Sequence, residues 1–157
     1  MAMESLIDLP GHLIRRLNQS AVAAFNAEVK SAGFDLTPVQ YGSLATIHAR
    51  PGIDQATLAG LVAYDSVTIG GVVARLESRG YLTRSISQND RRARFLNLTP
   101  RGESVVLTIQ PALRAAQAQI LNRLSEDERP IFMRMLRKLT LNPQEYDEHI
   151  AADQAAD

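Results

Sequence analysis

A cluster of arginines precedes a short apolar segment in the second half of the chain. The stretch reads NDRRARFLNLTPRG and places Arg91, Arg92 and Arg94 within four positions. Guanidinium groups this close repel one another unless an anion lies beside them. Because guanidinium groups donate paired hydrogen bonds to phosphates and to guanine edges, the cluster favours nucleic acid as that anion. A solvated basic surface is the interpretation that the charge pattern alone leaves open.

The net charge of the whole chain hides this asymmetry. The 157 residues carry 17 Lys and Arg against 17 Asp and Glu, so the formal net charge is zero. Between Arg75 and Arg101, however, seven arginines stand against two acids, whereas residues 143–157 hold five acids and no Lys or Arg. The positive charge is therefore concentrated in one segment.

The composition excludes several kinds of chemistry. Hydrophobic residues make up 45% of the chain, enough for one folded domain. Because there is no cysteine, disulfides, thiolate-bound metals and thiol catalysis are excluded. His12, His48 and His149 lack close metal-ligand spacing, so we expect no metal and no cofactor. Neither a signal peptide nor a membrane-length apolar segment is evident, which predicts a cytoplasmic protein without a membrane partner.

Apolar periodicity and capping residues predict the helices. Residues 8–32 form an amphipathic helix of about six turns. Thr37, Pro38 and Gln40 begin the next helix with a capping box. A short helix capped by Asp54 and a second helix capped by Asp65 or Ser66 then predict a helix-turn-helix.

The second half of the chain predicts a hairpin and further helices. Residues 81–87 and 95–98 alternate around the polar arginine loop, which is typical of a β-hairpin. A helix follows from Thr99 to about residue 124, and Ser125 with Glu128 begins another that ends near Leu141. We expect the acidic residues after Leu141 to fray.

This order of elements predicts a single domain over residues 1–157. The fold class is mainly α with a small β-hairpin wing. A winged helix-turn-helix lobe covers residues 37–99, long helices cover residues 8–32 and 100–141, and an acidic tail covers residues 142–157.

The second helix of the helix-turn-helix carries small and polar residues opposite its apolar stripe, namely Ser66, Thr68, Gly70, Gly71 and Arg75. Such a surface suits a helix that enters the major groove of DNA. Two questions remain open. Ser66 and Thr68 either contact DNA or cap the helix. Each glycine lowers the stability of the helix by about 1 kcal/mol relative to alanine. The presence of two glycines is explained either by close approach to DNA or by close packing against another helix.

The arginine loop suits the minor groove beside that helix. Narrow A·T-rich minor grooves concentrate negative potential, so we expect Arg91 and Arg92 to bind there. Arg94 either joins them or is a solvent-exposed strand residue. Asp90 is assigned a structural role, an ion pair with Arg92 or Arg75.

Three segments resemble the multiple antibiotic resistance regulator (MarR) family. DRRARFLNLTPRG resembles the family's wing signature, D-x-R followed by L-x-L-T-x-x-G. ATLAGLVAYDSVTIGGVVARLESRGYLTR is similar to its helix-turn-helix, and LTPVQYGSLATI to its second helix. The resemblance covers about residues 9–141. It implies a homodimer, intertwined through the N-terminal and two C-terminal helices, that binds palindromic double-stranded DNA and usually represses transcription.

The resemblance also implies a pocket for a small, often aromatic, anionic effector where the first, second and fifth helices meet. The candidate ligand-binding residues are His12, Arg15, Arg16, Tyr41, His48 and Arg50. Arginine pairs with a carboxylate, and tyrosine or histidine hydrogen-bonds a ring hydroxyl. The alternative is that the arginines are solvated, Tyr41 is in the core and the histidines bond locally. YDSVTIGGVVARLE also resembles members that control aromatic-acid degradation, which suggests benzoate-, hydroxybenzoate- or nicotinate-like effectors.

An enzyme is not expected. The chain contains no G-x-S-x-G, P-loop, G-x-G-x-x-G or H-E-x-x-H motif. Two further functions remain compatible with the sequence: a winged-helix module that binds DNA without responding to a ligand, and one that binds an acidic protein partner.

Overall fold

The computed structural model describes residues 5–86 and 94–155, and it confirms the predicted fold class. Within these residues, a short 3₁₀ turn, Leu6–Asp8, precedes seven α-helices and three β-strands. In chain order they are α1 (Pro10–Ser31), α2 (Pro38–Ala49), β1 (Ile53–Asp54), α3 (Gln55–Leu61), α4 (Ser66–Ser78), β2 (Leu82–Ile86), β3 (Arg94–Leu98), α5 (Pro100–Ile120), α6 (Glu128–Thr140) and α7 (Pro143–Ala155). The chain divides into two compact units between Gln117 and Ala118.

The core of the first unit lies among α2, α3, α4, the sheet and the first part of α5. Its fully buried large side chains are Leu44, Ile47, Leu58, Ile69, Leu76, Leu82, Leu96 and Ile109. The predicted helix-turn-helix is confirmed as α3 and α4. Ala63 in the turn between them has a φ of 55°, the one non-glycine positive φ among the described residues.

Side-chain caps fix where the helices of the first unit begin. In the predicted capping box of α2, the backbone N of Gln40 donates to Thr37 Oγ1 at 3.3 Å and the backbone N of Thr37 donates to Gln40 Oε1 at 3.1 Å. Asp54 Oδ1 accepts from the backbone N of Ala56 at 3.0 Å and of Thr57 at 2.9 Å. These bonds satisfy amide groups that the first helical turn leaves without partners.

The hairpin is part of a three-stranded antiparallel sheet in the order β1-β3-β2. Leu96 of the central strand pairs with Ile53 on one side and with Arg84 on the other. The sequence did not predict β1, because two residues are too few to show an alternating pattern. The backbone N of Gly52 donates to Leu96 O at 2.9 Å and continues this pairing.

Gly102 joins the sheet to α5 through a very close contact. A Cβ atom at Gly102 would lie 1.9 Å from the carbonyl oxygen of Tyr81. Thr99 strengthens the joint: its Oγ1 donates to Gly80 O at 2.7 Å, and the backbone N of Gly102 donates to that Oγ1 at 3.1 Å. Only glycine therefore fits at position 102, the last residue of LNLTPRG, because any side chain would overlap the Tyr81 carbonyl group.

The C-terminal part departs from the prediction in three places. Ser125 and Glu128 exchange the expected capping bonds, yet α6 begins only at Glu128, and α5 ends at Ile120 instead of near residue 124. The prediction that residues after Leu141 fray is wrong, because α7 forms there. Asn142 and Glu145 cap it reciprocally, with N···O distances of 3.1 and 3.0 Å.

Within residues 5–86 and 94–155, no single helix is long and apolar enough to span a membrane. In that part of the chain, only α3 and α4 taken together, bent by 110° at the break between them, match a span in length and composition.

Gly102→Ala should lower the free energy of unfolding by about 1–3 kcal/mol or more, since the added methyl group overlaps a backbone oxygen. Urea unfolding followed by circular dichroism measures this. Gly42→Ala in α2 is the matched control, because a Cβ there meets nothing within 4 Å; it should be neutral or stabilising. Equal midpoints for Gly102→Ala and the unmodified protein would contradict the steric account.

Candidate nucleic-acid interface

Helix α4 separates its residues into a buried face and an exposed face. Ile69, Val73 and Leu76 point into the core and are completely buried. The predicted DNA-contacting residues Ser66, Thr68, Gly71 and Arg75 are exposed, and Gly70 is half-buried at the edge. One side of α4 is therefore anchored and the other is open to a partner.

Asp65 caps α4, which decides between the two caps that the sequence left open. The backbone N of Thr68 donates to Asp65 Oδ1 at 2.9 Å, and Thr68 Oγ1 donates to Asp65 Oδ2 at 2.6 Å. The hydrogen bonds from the side chain and backbone of Thr68 hold the pKa of the Asp65 carboxyl below its ordinary value. Among the described residues, none hydrogen-bonds to the side chain of Ser66, so that hydroxyl is available to a partner.

The two glycines of α4 are not required by packing in the part of the chain that the structure describes. A Cβ at Gly71 would meet nothing within 4 Å, and one at Gly70 would meet only the side-chain Nε2 of Gln55 at 3.5 Å. The latter is an ordinary van der Waals distance to the end of a flexible side chain. Close packing against another helix therefore does not explain the glycine pair.

Several arginines of the basic segment act within the fold, a role that the sequence did not predict. Arg84 of β2 forms an ion pair with Glu77 of α4, in which Arg84 Nε donates to Glu77 Oε2 at 2.7 Å. Arg79 Nη1 donates to Asp35 O at 2.7 Å. The Arg84–Glu77 pair fixes the strand that leads into the arginine loop to α4. No sequence pattern indicates this pair, since a spacing of seven residues across a turn is not a periodic contact.

Tyr81, at the start of the hairpin, interacts with two cations. The guanidinium carbons of Arg79 and Arg101 lie 5.4 and 5.1 Å from the centre of its ring. Such cation–π contacts stabilise a nearly buried ring at the junction of α4, β2 and α5.

Three of the predicted wing residues, Asp90, Arg91 and Arg92, lie outside the described residues. Arg94 is the first residue of β3, where its backbone pairs with Ile86. The described part of the hairpin therefore ends at the Ile86–Arg94 pair, which flanks the arginine loop.

A cleft of about 520 Å³ lies where α1, α2 and α5 meet, the location expected for an effector pocket. Its lining residues are Phe25, Pro38, Tyr41, Gln110, Leu113, Arg114 and Gln117. Of the six predicted ligand residues, only Tyr41 is among them. His12, Arg15 and Arg16 lie near the start of α1, and His48 and Arg50 are exposed at the far end of α2.

Arg114 is the cationic residue of the cleft, and the sequence did not single it out. Burial raises the pKa of the Tyr41 hydroxyl, and the positive charge of Arg114 opposes that increase. Phe25 meets the Tyr41 ring edge-on, with 6.1 Å between ring centres. The cleft thus combines aromatic walls, a protonated hydroxyl and a guanidinium group.

Comparison with known proteins identifies the family. The model of the MarR family matches residues 36–93. The transcriptional regulator HosA of Escherichia coli is 34% identical over 128 residues, which are 82% of this chain and 92% of HosA. The chain belongs to the MarR family. Its members among these matches are transcription regulators, so the protein is a DNA-binding transcription regulator and not an enzyme.

Solved structures of the MarR family share the fold. The PcaV regulator of Streptomyces coelicolor, crystallised with its natural ligand, is 34% identical with a TM-score of 0.81, over 88% of this chain and 96% of PcaV. BpsR of Bordetella bronchiseptica, whose DNA binding is regulated by 6-hydroxynicotinic acid, is 27% identical with a TM-score of 0.82, over 90% and 99% of the two chains.

Gly71→Ala should have opposite effects on folding and on DNA binding. Alanine in a helix interior stabilises by about 0.5–1 kcal/mol relative to glycine. If DNA approaches the backbone at Gly71, the new methyl group should weaken affinity about tenfold through steric overlap. Urea unfolding and fluorescence anisotropy with a labelled duplex measure the two effects.

Gly42→Ala again serves as the control, because it adds the same methyl group to α2, outside the exposed face of α4. It should leave DNA affinity unchanged. Unchanged affinity in Gly71→Ala as well would show that DNA does not use the open space beside that residue.

Proposed function

We propose that this regulator is a homodimeric repressor that binds a palindromic operator and releases it when a small aromatic acid enters the cleft. The exposed face of α4, anchored on its other side and capped by Asp65, is the observation that carries the proposal. Its action belongs in the cytoplasm, where bacterial operators are found.

In this proposal α4 lies in the major groove and the arginine loop in the adjacent minor groove. The DNA-contacting residues are Ser66, Thr68, Gly70, Gly71, Arg75, Arg91, Arg92 and Arg94, with Asp90 holding an arginine in place. Ser66 supports this role through a hydroxyl that no described residue bonds, and Arg75 through its exposure on the same face. In a twofold dimer, the half-sites lie roughly 34–36 Å apart.

Exposed apolar side chains on the helices outside the winged lobe support a dimer. Leu13 and Ile14 of α1 are 48% and 58% exposed, and Ile131 and Leu139 of α6 are 51% and 77% exposed. In addition, none of the described residues of the second unit is buried. Monomeric proteins rarely leave such apolar surface open. We therefore assign residues 8–32 and 100–141 to the dimer and residues 37–99 to DNA binding.

The cleft supports a carboxylate-bearing aromatic effector. The Arg114 guanidinium group suits the carboxylate. The Tyr41 hydroxyl can donate a hydrogen bond, because a tyrosine hydroxyl is protonated near neutral pH and burial raises the pKa of this one further. Phe25 and Leu113 provide apolar surface for a ring. The ligand complex of PcaV supports a ligand-binding regulator, and the 6-hydroxynicotinic acid response of BpsR favours nicotinate-like acids. Benzoate- and hydroxybenzoate-like acids present the same combination of ring and carboxylate.

Leu13→Asp should dissociate the dimer at micromolar concentration, because it introduces a charge into the proposed apolar interface. Sedimentation equilibrium measures the mass. Leu61→Asp, the same substitution at an exposed leucine outside the residues assigned to the dimer, is the matched control and should remain dimeric. An intact Leu13→Asp dimer would remove α1 from the interface.

Arg114→Gln should abolish the response to aromatic acids while operator affinity and folding stay intact, since it removes the charge that pairs with the carboxylate. Calorimetric titration with benzoate, 4-hydroxybenzoate and 6-hydroxynicotinate measures binding. Arg123→Gln, an exposed arginine outside the cleft, is the control.

The same titration applied to His12, Arg15, Arg16, His48 and Arg50 variants decides whether these predicted residues contribute. Normal acid binding by Arg114→Gln would place the effector elsewhere. If the unmodified protein binds operator DNA but none of the acids, the alternative function is correct: the protein binds DNA without responding to a ligand.

A further inference from the structure

Val67 is an exposed apolar residue at the start of α4. It is 87% exposed, the highest value among the large hydrophobic residues that the structure describes. It is the second residue of a 13-residue helix whose N-terminal end is the part that reaches base edges in helix-turn-helix proteins. Folding of the protomer does not use this side chain, so its apolar character indicates a partner.

Val67 lies at the centre of the exposed face. Helical geometry places Val67, Gly71, Ala74 and Ser78 in one row, at spacings of four, seven and eleven residues, and all four are exposed. The row is opposite the buried residues Ile69, Val73 and Leu76. Ser66 and Thr68 lie to either side, and the Thr68 hydroxyl already donates to Asp65. If α4 enters the major groove, the side chain at the centre of the entering face is therefore apolar.

The chemistry of the major groove offers one apolar group to such a side chain. Each base-pair edge presents hydrogen-bond donors and acceptors, and only thymine adds a methyl group, at C5. Valine has no donor or acceptor, so it cannot distinguish bases through hydrogen bonds. Its branched side chain has one strongly preferred rotamer in a helix, so it loses little conformational freedom on contact.

We propose that Val67 determines operator specificity by contacting the C5 methyl group of one thymine in each half-site. This inference rests on the proposed operator binding and adds the residue and base group that select the sequence. The absence of a side chain at Gly71, one turn further along the row, leaves room for the next base-pair edge to approach.

The test first removes the C5 methyl group of thymine from the DNA and then shortens the Val67 side chain in the protein. In the duplex that the protein binds most tightly, each thymine is replaced singly by deoxyuridine, which differs only at C5. The unmodified protein should lose about fourfold in affinity at one thymine per half-site, the equivalent of one buried methyl group.

Val67→Ala should bind the thymine duplex more weakly by about the factor that deoxyuridine causes when it replaces the sensitive thymine in both half-sites, because the homodimer loses both valine side chains. It should no longer distinguish thymine from deoxyuridine at that position. Such non-additivity identifies direct contact in a double-mutant cycle. Val67→Ile keeps a branched apolar side chain and should keep the distinction. Because Val67 is exposed, thermal unfolding of Val67→Ala should match the unmodified protein.

Two results would overturn the inference while leaving operator binding intact. Either no thymine is sensitive to loss of its methyl group, or the sensitivity persists unchanged in Val67→Ala. Unaltered DNA affinity in Val67→Ala would also overturn it. Equal binding to all duplexes would overturn the proposed function itself together with the inference.

Discussion

The close approach of Gly102 to the carbonyl oxygen of Tyr81 is the contact on which the rest of the structure depends. At this point the chain leaves α4, enters the hairpin, returns from it and begins α5. Thr99 bonds to Gly80 O and to the backbone N of Gly102, so the four segments are held by one small set of groups. A larger residue at 102 would separate the sheet from α5 and move α4 relative to the helix that lines the cleft.

This joint also relates the two sites of the protein. Arg114, the cation of the cleft, lies twelve residues after Gly102 on the same continuous helix, about 18 Å along its axis. The Arg84–Glu77 ion pair then connects the hairpin to α4. A ligand that displaces α5 thus has a short, packed connection to α4, the helix that we propose binds DNA. The glycine pair and exposed valine of α4 contribute nothing evident to folding, which is typical of a surface shaped by a partner.

The helices could be predicted where their capping hydrogen bonds join residues that are close in the sequence. Thr37 with Gln40, and Asp54 with its following amides, are bonds within one helical turn, so the sequence alone indicated them. Asn142 with Glu145 carries the same signal, yet the acidic composition of that segment outweighed it and the helix was missed. Two-residue β1 has no periodicity to detect. Arg114 and Tyr41 are 73 positions apart in the sequence, and only the folded arrangement of α2 and α5 brings both to the cleft.

In the proposed dimer, two copies of α4 bind DNA of a specific, twofold-symmetric sequence. Selection of bound duplexes from a random pool at moderate salt, followed by sequencing, tests this claim most directly. We expect enrichment of a palindrome whose half-sites are about one helical turn apart, with A·T-rich flanks beside the arginine loops. Enrichment of no sequence over the starting pool would contradict the claim.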